Sequence, residues 1–133
     1  MKYIGFIKEY NIIDSARSLQ DVIKYHDEKP DFLNIINYLK DGILAFAWMG
    51  YFVDIETKTL IAPDSYFTDG LWIWPAYLPY YLSNYPGMYL DHDFVEYLRS
   101  KKYEAIVRGL SELEMARIEN EISIKLNNGQ TFP

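Results

Sequence analysis

The sequence predicts an α+β fold, in which a small antiparallel sheet of three to four strands packs with four to five helices. Three observations support this prediction. The chain has 133 residues, the length of one ordinary domain, so we expect a single domain over residues 1–133. Half of the residues are hydrophobic and 24% are charged, a composition typical of chains that bury a core. Segments with helical spacing of apolar residues alternate with short apolar runs bounded by turn residues.

The first forty residues predict one strand and two helices. Residues 1–10 alternate imperfectly and are rich in aromatic and branched side chains, which favours a short strand. Asp14 and Ser15 offer capping oxygens, and helical spacing then continues to about Asp27. After a Lys-Pro break, Asp31 caps a second helix, which Asp-Gly at residues 41–42 ends.

The middle of the chain predicts the sheet. Residues 43–53 are nearly all apolar, which is typical of a central strand, or of two strands separated by Gly50, covered on both faces. Polar turn formers at residues 54–59 predict a hairpin to a second strand at residues 59–62. An Asp-Gly turn at residues 69–70 precedes a further strand at residues 71–74, in which the two tryptophans share one face.

Three more helices are predicted after this strand. Pro75 suits the first position of a helix that ends near residues 84–87. Either Asp91 or Asp93 can cap a helix over residues 94–100. Residues 111–126 begin with capping-box spacing and continue as an amphipathic helix.

Side chains suited to catalysis or metal binding are few. The absence of cysteine excludes disulfides, thiolate zinc sites, iron-sulfur clusters and cysteine nucleophiles. The only imidazoles are His26 and His92, near predicted helix ends, and the carboxylates that flank His92 are explained as helix caps. The pairs Asp54 with Glu56 and Asp64 with Asp69 fit solvated turns better than a general acid and base. We therefore expect no enzyme activity, no metal and no cofactor.

No targeting or membrane segment is evident. Charged residues interrupt the first ten positions, so an export signal is not expected. The longest weakly charged stretches, residues 42–53 and 70–90, are too short or too polar to span a bilayer. These features predict a cytoplasmic protein without a membrane partner.

Acidic and aromatic residues are concentrated in one part of the chain. Seven acids and one base between Asp54 and Glu96 give −6, whereas the remaining 12 acids and 12 bases cancel. The same segment holds ten of the 23 aromatic residues. A nucleic-acid partner is disfavoured, because such binding relies on lysine and arginine. Aromatic residues combined with charge are typical of protein-binding surfaces.

The run Asp-Gly-Leu-Trp-Ile-Trp-Pro-Ala-Tyr-Leu-Pro-Tyr-Tyr-Leu at residues 69–82 resembles a segment of immunity proteins from bacterial polymorphic toxin and contact-dependent inhibition systems. In these proteins, Asp-Gly precedes a tryptophan-containing strand, a proline or serine, and a helix with a Tyr-Tyr or Tyr-Val pair. The similarity covers about residues 66–98, and Leu71 replaces a frequent acidic residue. The resemblance implies a protein that blocks a cognate toxin, and it does not identify that toxin.

The resemblance and the charge pattern lead to one hypothesis: the chain binds a basic toxin domain through an acidic aromatic surface. The candidate partner-binding residues are Asp54, Glu56, Asp64, Tyr66, Asp69, Trp72, Tyr77, Tyr81, Tyr85, Asp91 and Asp93. Two alternatives stay open. One is a small ligand-binding or hydrolase domain with an aromatic pocket lined by Trp72 or Trp74 and two facing carboxylates. The other is a homo-oligomeric structural subunit, so a monomer and a homodimer are both compatible with the sequence.

Overall fold

The structure is a computed structural model that describes residues 1–105 and 109–129. Its strands are β1 (Lys2–Tyr3), β2 (Ile43–Val53), β3 (Leu60–Thr68) and β4 (Trp72–Pro75). Its helices are α1 (Leu19–Ile23), α2 (Phe32–Lys40), α3 (Leu78–Asn84), α4 (His92–Ser100) and α5 (Glu112–Gly129). These elements confirm the predicted α+β class.

The strands form one sheet in the order β1-β4-β3-β2. Strand β1 runs parallel to β4, whereas β3 is antiparallel to both of its neighbours, so the sheet is mixed and not purely antiparallel as expected. The strand predicted over residues 1–10 is limited to two residues. It is followed by Gly5, whose φ of 72° turns the chain away from the extended conformation.

The segment between β1 and α1 is irregular but packs into the core. Ile4, Phe6 and Ile7 are buried, and an isolated parallel bridge joins Ile7 to Arg17. Helix α1 starts later than predicted because its capping side chain is that of Ser18, whose Oγ accepts a 3.1 Å bond from the amide of Asp21.

The β2–β3 hairpin is longer than predicted. Strand β3 continues to Thr68 and extends well beyond the predicted residues 59–62. Strand β2 has the predicted bounds, but it lies at the edge of the sheet, and Leu44, Met49 and Tyr51 are exposed. The expectation that β2 is covered on both faces is therefore wrong.

Helices cover one face of the sheet only in part. Cross-strand pairing places Leu44, Phe67 and Trp74 in one row on this face. Trp74 donates through Nε1 to the carbonyl of Leu39 at 3.1 Å, which fixes the end of α2 against β4. A Cβ at Gly42 would lie 2.5 Å from the Trp74 ring, so the chain after α2 approaches β4 too closely for a side chain. The β2–β3 part of the same face remains open.

Helices α4 and α5 begin with side-chain caps, whereas α3 does not. Pro75 ends β4 instead of starting a helix, and α3 begins three residues later. Asp91 caps α4 by accepting a 2.8 Å bond from the amide of Asp93. Ser111 and Glu114 exchange two 3.1 Å bonds at the start of α5, which confirms the predicted capping box. Among residues 1–105 and 109–129, no helix combines the length and apolar character needed to cross a membrane.

Candidate functional site

Two of the predicted acidic contacts are buried turn residues. Oδ1 of Asp54 accepts bonds from the amides of Glu56 and Thr57 at 2.8 and 2.9 Å. Oδ1 of Asp69 likewise accepts from the amides of Leu71 and Trp72 at 3.0 and 2.9 Å. Their side chains fix the local backbone, so the prediction that Asp54 and Asp69 contact a partner is corrected.

Four predicted aromatic anchors are also buried. Tyr66, Trp72, Tyr77 and Tyr81 lie within the hydrophobic core, with at most 5% of each residue exposed. Since their rings are already covered by the fold, a partner has no access to them in this structure. The sequence indicated an aromatic segment correctly, but it did not separate core rings from surface rings.

These tyrosines form hydrogen bonds that hold the irregular N-terminal segment on the sheet. Tyr77 donates to Oδ1 of Asn11 at 2.9 Å, and Asn11 donates through Nδ2 to the hydroxyl of Tyr66 at 2.9 Å. The amide of Ile7 in turn donates to the Tyr77 hydroxyl at 2.8 Å. Burial raises the pKa of Tyr77 well above its ordinary value, so the hydroxyl stays protonated and able to donate. The role of this network is structural.

Asp64 has a different environment. Ala47 pairs with Ser65, and Tyr51 pairs with Pro63. Residues 48–50 of β2 therefore lie opposite the single residue Asp64, so β2 bulges there. The Asp64 side chain is partly buried, and its Oδ1 makes no hydrogen bond with the described residues. Burial raises the pKa of this carboxyl group. Asp64 is thus a weak candidate for an exposed acidic contact.

The other predicted contacts remain accessible and lie on a surface that also includes the loop before α2. Glu56 and Asp93 are exposed, and Tyr85 and Asp91 are partly exposed. Burial raises the pKa of Tyr85, and the negative charge of Glu56 adds to this effect.

Gly87 connects these residues to the next part of the surface. Its carbonyl accepts a 3.0 Å bond from the amide of Asp27, and a Cβ at Gly87 would lie 3.2 Å from Oε1 of Glu28. Asp27 and Glu28 also line a cavity of about 600 Å³ together with His92, the neighbour of two predicted acidic contacts. We call this surface the acidic face, and it consists of Asp27, Glu28, Glu56, Tyr85, Asp91 and Asp93.

A second surface includes none of the predicted partner-binding residues. An open groove of about 650 Å³ lies on the sheet between the end of α2 and helix α3. Its lining is mainly apolar, and this sheet groove comprises Leu39, Lys40, Leu44, Ala47, Ile61, Ala62, Pro63, Ser65, Phe67, Trp74, Ala76, Pro79, Tyr80, Ser83 and Asn84. The exposed apolar residues of the adjacent hairpin, Met49, Tyr51 and Leu60, form what we call the hairpin surface. Continuous apolar sequence indicated a strand, but it did not reveal that the strand lies at an edge.

No metal-binding arrangement is found in the part of the chain that the structure describes, where no three histidine or carboxylate side chains form a suitable group. No protein family model, curated protein or solved structure matches this chain.

Proposed function

We propose that this protein is an immunity protein that binds and blocks a cognate basic toxin domain through its acidic face. The observation that carries the proposal is uncompensated charge. Among the described residues, Glu28, Glu56, Asp91 and Asp93 form no ion pair. Unpaired carboxylates on one face produce a negative potential that accelerates encounter with a basic partner.

The resemblance at residues 69–82 supports the class of protein, whereas the acidic face supports the mode of binding. Most of the aromatic side chains in this segment are buried and position β4 against α2 and α3. Residues that vary between toxin partners would then lie at the surface, as those of the acidic face do. The proposal places the neutralised toxin in the cytoplasm, where an intracellular target would be protected.

The test uses the product of the neighbouring gene as the candidate toxin, with growth rescue on co-expression and calorimetric titration as readouts. The wild type should rescue growth and bind more weakly as salt increases, because salt screens opposite charges. A triple variant, Glu28→Lys, Glu56→Lys and Asp93→Lys, should lose at least about a hundredfold in affinity and much of its salt dependence.

Glu119→Lys provides the matched control, because Glu119 is an exposed acid on α5, outside the acidic face. This variant should bind and rescue like the wild type. Failure of the wild type to bind would refute the immunity function. Unchanged binding by the triple variant would refute the acidic face as the interface.

The ligand-binding alternative is supported by only part of the arrangement that it requires. Trp74, Phe67 and Tyr80 line the sheet groove, which therefore has the aromatic character predicted for a pocket. Among the described residues that line it there is no carboxylate side chain, so the facing acid pair of a hydrolase is not found there.

A further inference from the structure

Strand β2 differs from the edge strands common in monomeric proteins. Such edges usually carry charged residues or proline, which prevent association with other chains. The eleven residues of β2, Ile43–Val53, include no charged side chain. Met49 is 98% exposed and Tyr51 is 62% exposed, so large apolar groups project from an edge without charged protection.

The bulge determines which mode of association β2 permits. Residues 48–50 interrupt the regular ladder near the middle of the strand, and Gly50 has a φ of 103°. A continuous backbone ladder between two such edges would be broken at this point. Association through side chains on the open face of the sheet avoids this problem.

The same region contains both a projection and a recess. Ala47 and Pro63 line the sheet groove, and Met49 and Tyr51 lie beside them in sequence or by strand pairing. Two copies related by a two-fold axis could each place their hairpin surface over the groove of the other. An interface of this kind is isologous, because both copies contribute the same residues.

The exposed apolar area is sufficient to contribute substantially to a dimer. Leu44 is 54% exposed and Leu60 is 69% exposed, in addition to the two projecting residues. The four side chains offer on the order of 400 Å² per copy, taking ~100–200 Å² for a whole side chain. A standard interface buries about 800 Å² per partner, so these side chains would supply roughly half of it.

We propose that two copies of this chain associate through the hairpin surface and the sheet groove. This interface is separate from the acidic face, so it goes beyond the proposed function. The charged residues of the two hairpin strands and the groove lining are Asp64 and Lys40, which have opposite signs, so the interface itself introduces little repulsion between like charges. Because each copy carries a net charge of −6, higher salt should strengthen self-association, whereas it should weaken binding of a basic toxin.

Sedimentation equilibrium from micromolar to millimolar protein, at low and high salt, tests the proposal. The wild type should form a dimer that higher salt stabilises. Met49→Lys and Tyr51→Lys should each weaken dimerisation at least about tenfold, because each places a charge in an apolar contact. Ala47→Trp, which fills the groove, should have the same effect.

Leu113→Lys is the matched control, since Leu113 is 65% exposed on α5 and belongs to neither the hairpin surface nor the sheet groove. It should dimerise like the wild type, and the hairpin variants should retain toxin binding. A wild type that stays monomeric overturns the proposal, and binding of an apolar dye to that monomer would assign the groove to a small ligand. A dimer that is unaffected by the hairpin and groove variants also overturns it.

Discussion

The hydroxyl of Tyr80 donates a 2.5 Å hydrogen bond to Oδ2 of Asp54, which joins helix α3 to the turn of the β2–β3 hairpin. The other oxygen of this carboxylate is occupied by backbone amides of the turn. The bond from Tyr80 is the largest cause that lowers the pKa of Asp54. A single acidic side chain thus stabilises both the turn and its attachment to the helix.

Tyr80→Phe removes this bond and should lower the free energy of unfolding at pH 7 by about 1–2 kcal/mol. Because the pKa of Asp54 is lowered by folding, the stabilisation is present above the unfolded value of about 4 and is lost at lower pH. Urea unfolding at pH 7 and pH 3 should therefore show a smaller difference from the wild type at pH 3. Tyr85→Phe serves as control, since the Tyr85 hydroxyl makes no hydrogen bond with the described residues; equal losses in the two variants would contradict the prediction.

Asp31 and Arg99 connect the start of α2 to the end of α4. Nε and Nη2 of Arg99 each donate to the Asp31 carboxylate at 3.0 Å, and Tyr103 also donates to it. The bonds from Arg99 are the main cause that lowers the pKa of Asp31 to about 2. The predicted capping role of Asp31 is not observed, because its side chain binds these groups and no helix amide.

Asp31→Asn should destabilise the fold by about 1 kcal/mol near neutral pH, since Arg99 is partly exposed and solvent screens the pair. The difference from the wild type should be complete above pH ~4 and decline as the pH falls towards the folded pKa. Chemical unfolding across this range measures it. Glu96→Gln, which removes a weaker and more exposed contact with Arg99, should change stability little. A difference that does not vary with pH would exclude this assignment.

Asn11→Ala should cost about 2–4 kcal/mol, because it leaves the buried hydroxyls of Tyr66 and Tyr77 without their side-chain partner. Thermal and urea unfolding provide the measurement. Asn34→Ala, at an exposed position of α2, should be nearly neutral. If the two variants were equally stable, the network would contribute nothing measurable to the attachment of the N-terminal segment.

Two glycines have nearly equal φ, so their alanine variants can distinguish the cost of backbone strain from the cost of steric overlap. Gly5 has a φ of 72° and Gly109 a φ of 71°. A Cβ at Gly5 would lie 2.4 Å from Cδ2 of Leu78, whereas no described residue other than its chain neighbours has an atom within 4 Å of one at Gly109. Gly109→Ala should cost about 1–2 kcal/mol through strain alone, and Gly5→Ala about 1–3 kcal/mol more. Equal unfolding free energies for the two variants would show that the contact with Leu78 relaxes freely.

Local sequence patterns correctly predicted the elements that neighbouring residues encode. The apolar run of β2 and the capping box at Ser111 predicted an observed strand and an observed helix start, because neighbouring residues encode them. The N-terminal segment was predicted poorly. Its conformation depends on distant partners such as Tyr77 and Tyr66, and hydrophobic periodicity does not contain this information.

Prediction from local sequence was limited in the same way for the candidate site. Composition revealed a segment rich in acids and aromatics, yet every residue of β4 is buried, and so are Tyr66, Tyr77 and Tyr81. Exposure was therefore overestimated for Trp72 and Tyr77. It was underestimated for β2, whose apolar character resembles a central strand although the chain places it at the edge.

The pairing of β1 with β4 also constrains the order in which the strands pair during synthesis. Lys2 and Tyr3 pair with Trp72 and Ile73, about half of the chain later. A ribosome that releases the polypeptide from its N-terminus exposes Lys2 long before its pairing strand exists. The β2–β3 hairpin pairs two segments that are close in sequence, so it can form before β1 pairs with β4. Lys2 and Tyr3 consequently emerge early but are among the last residues to reach their native strand pairing.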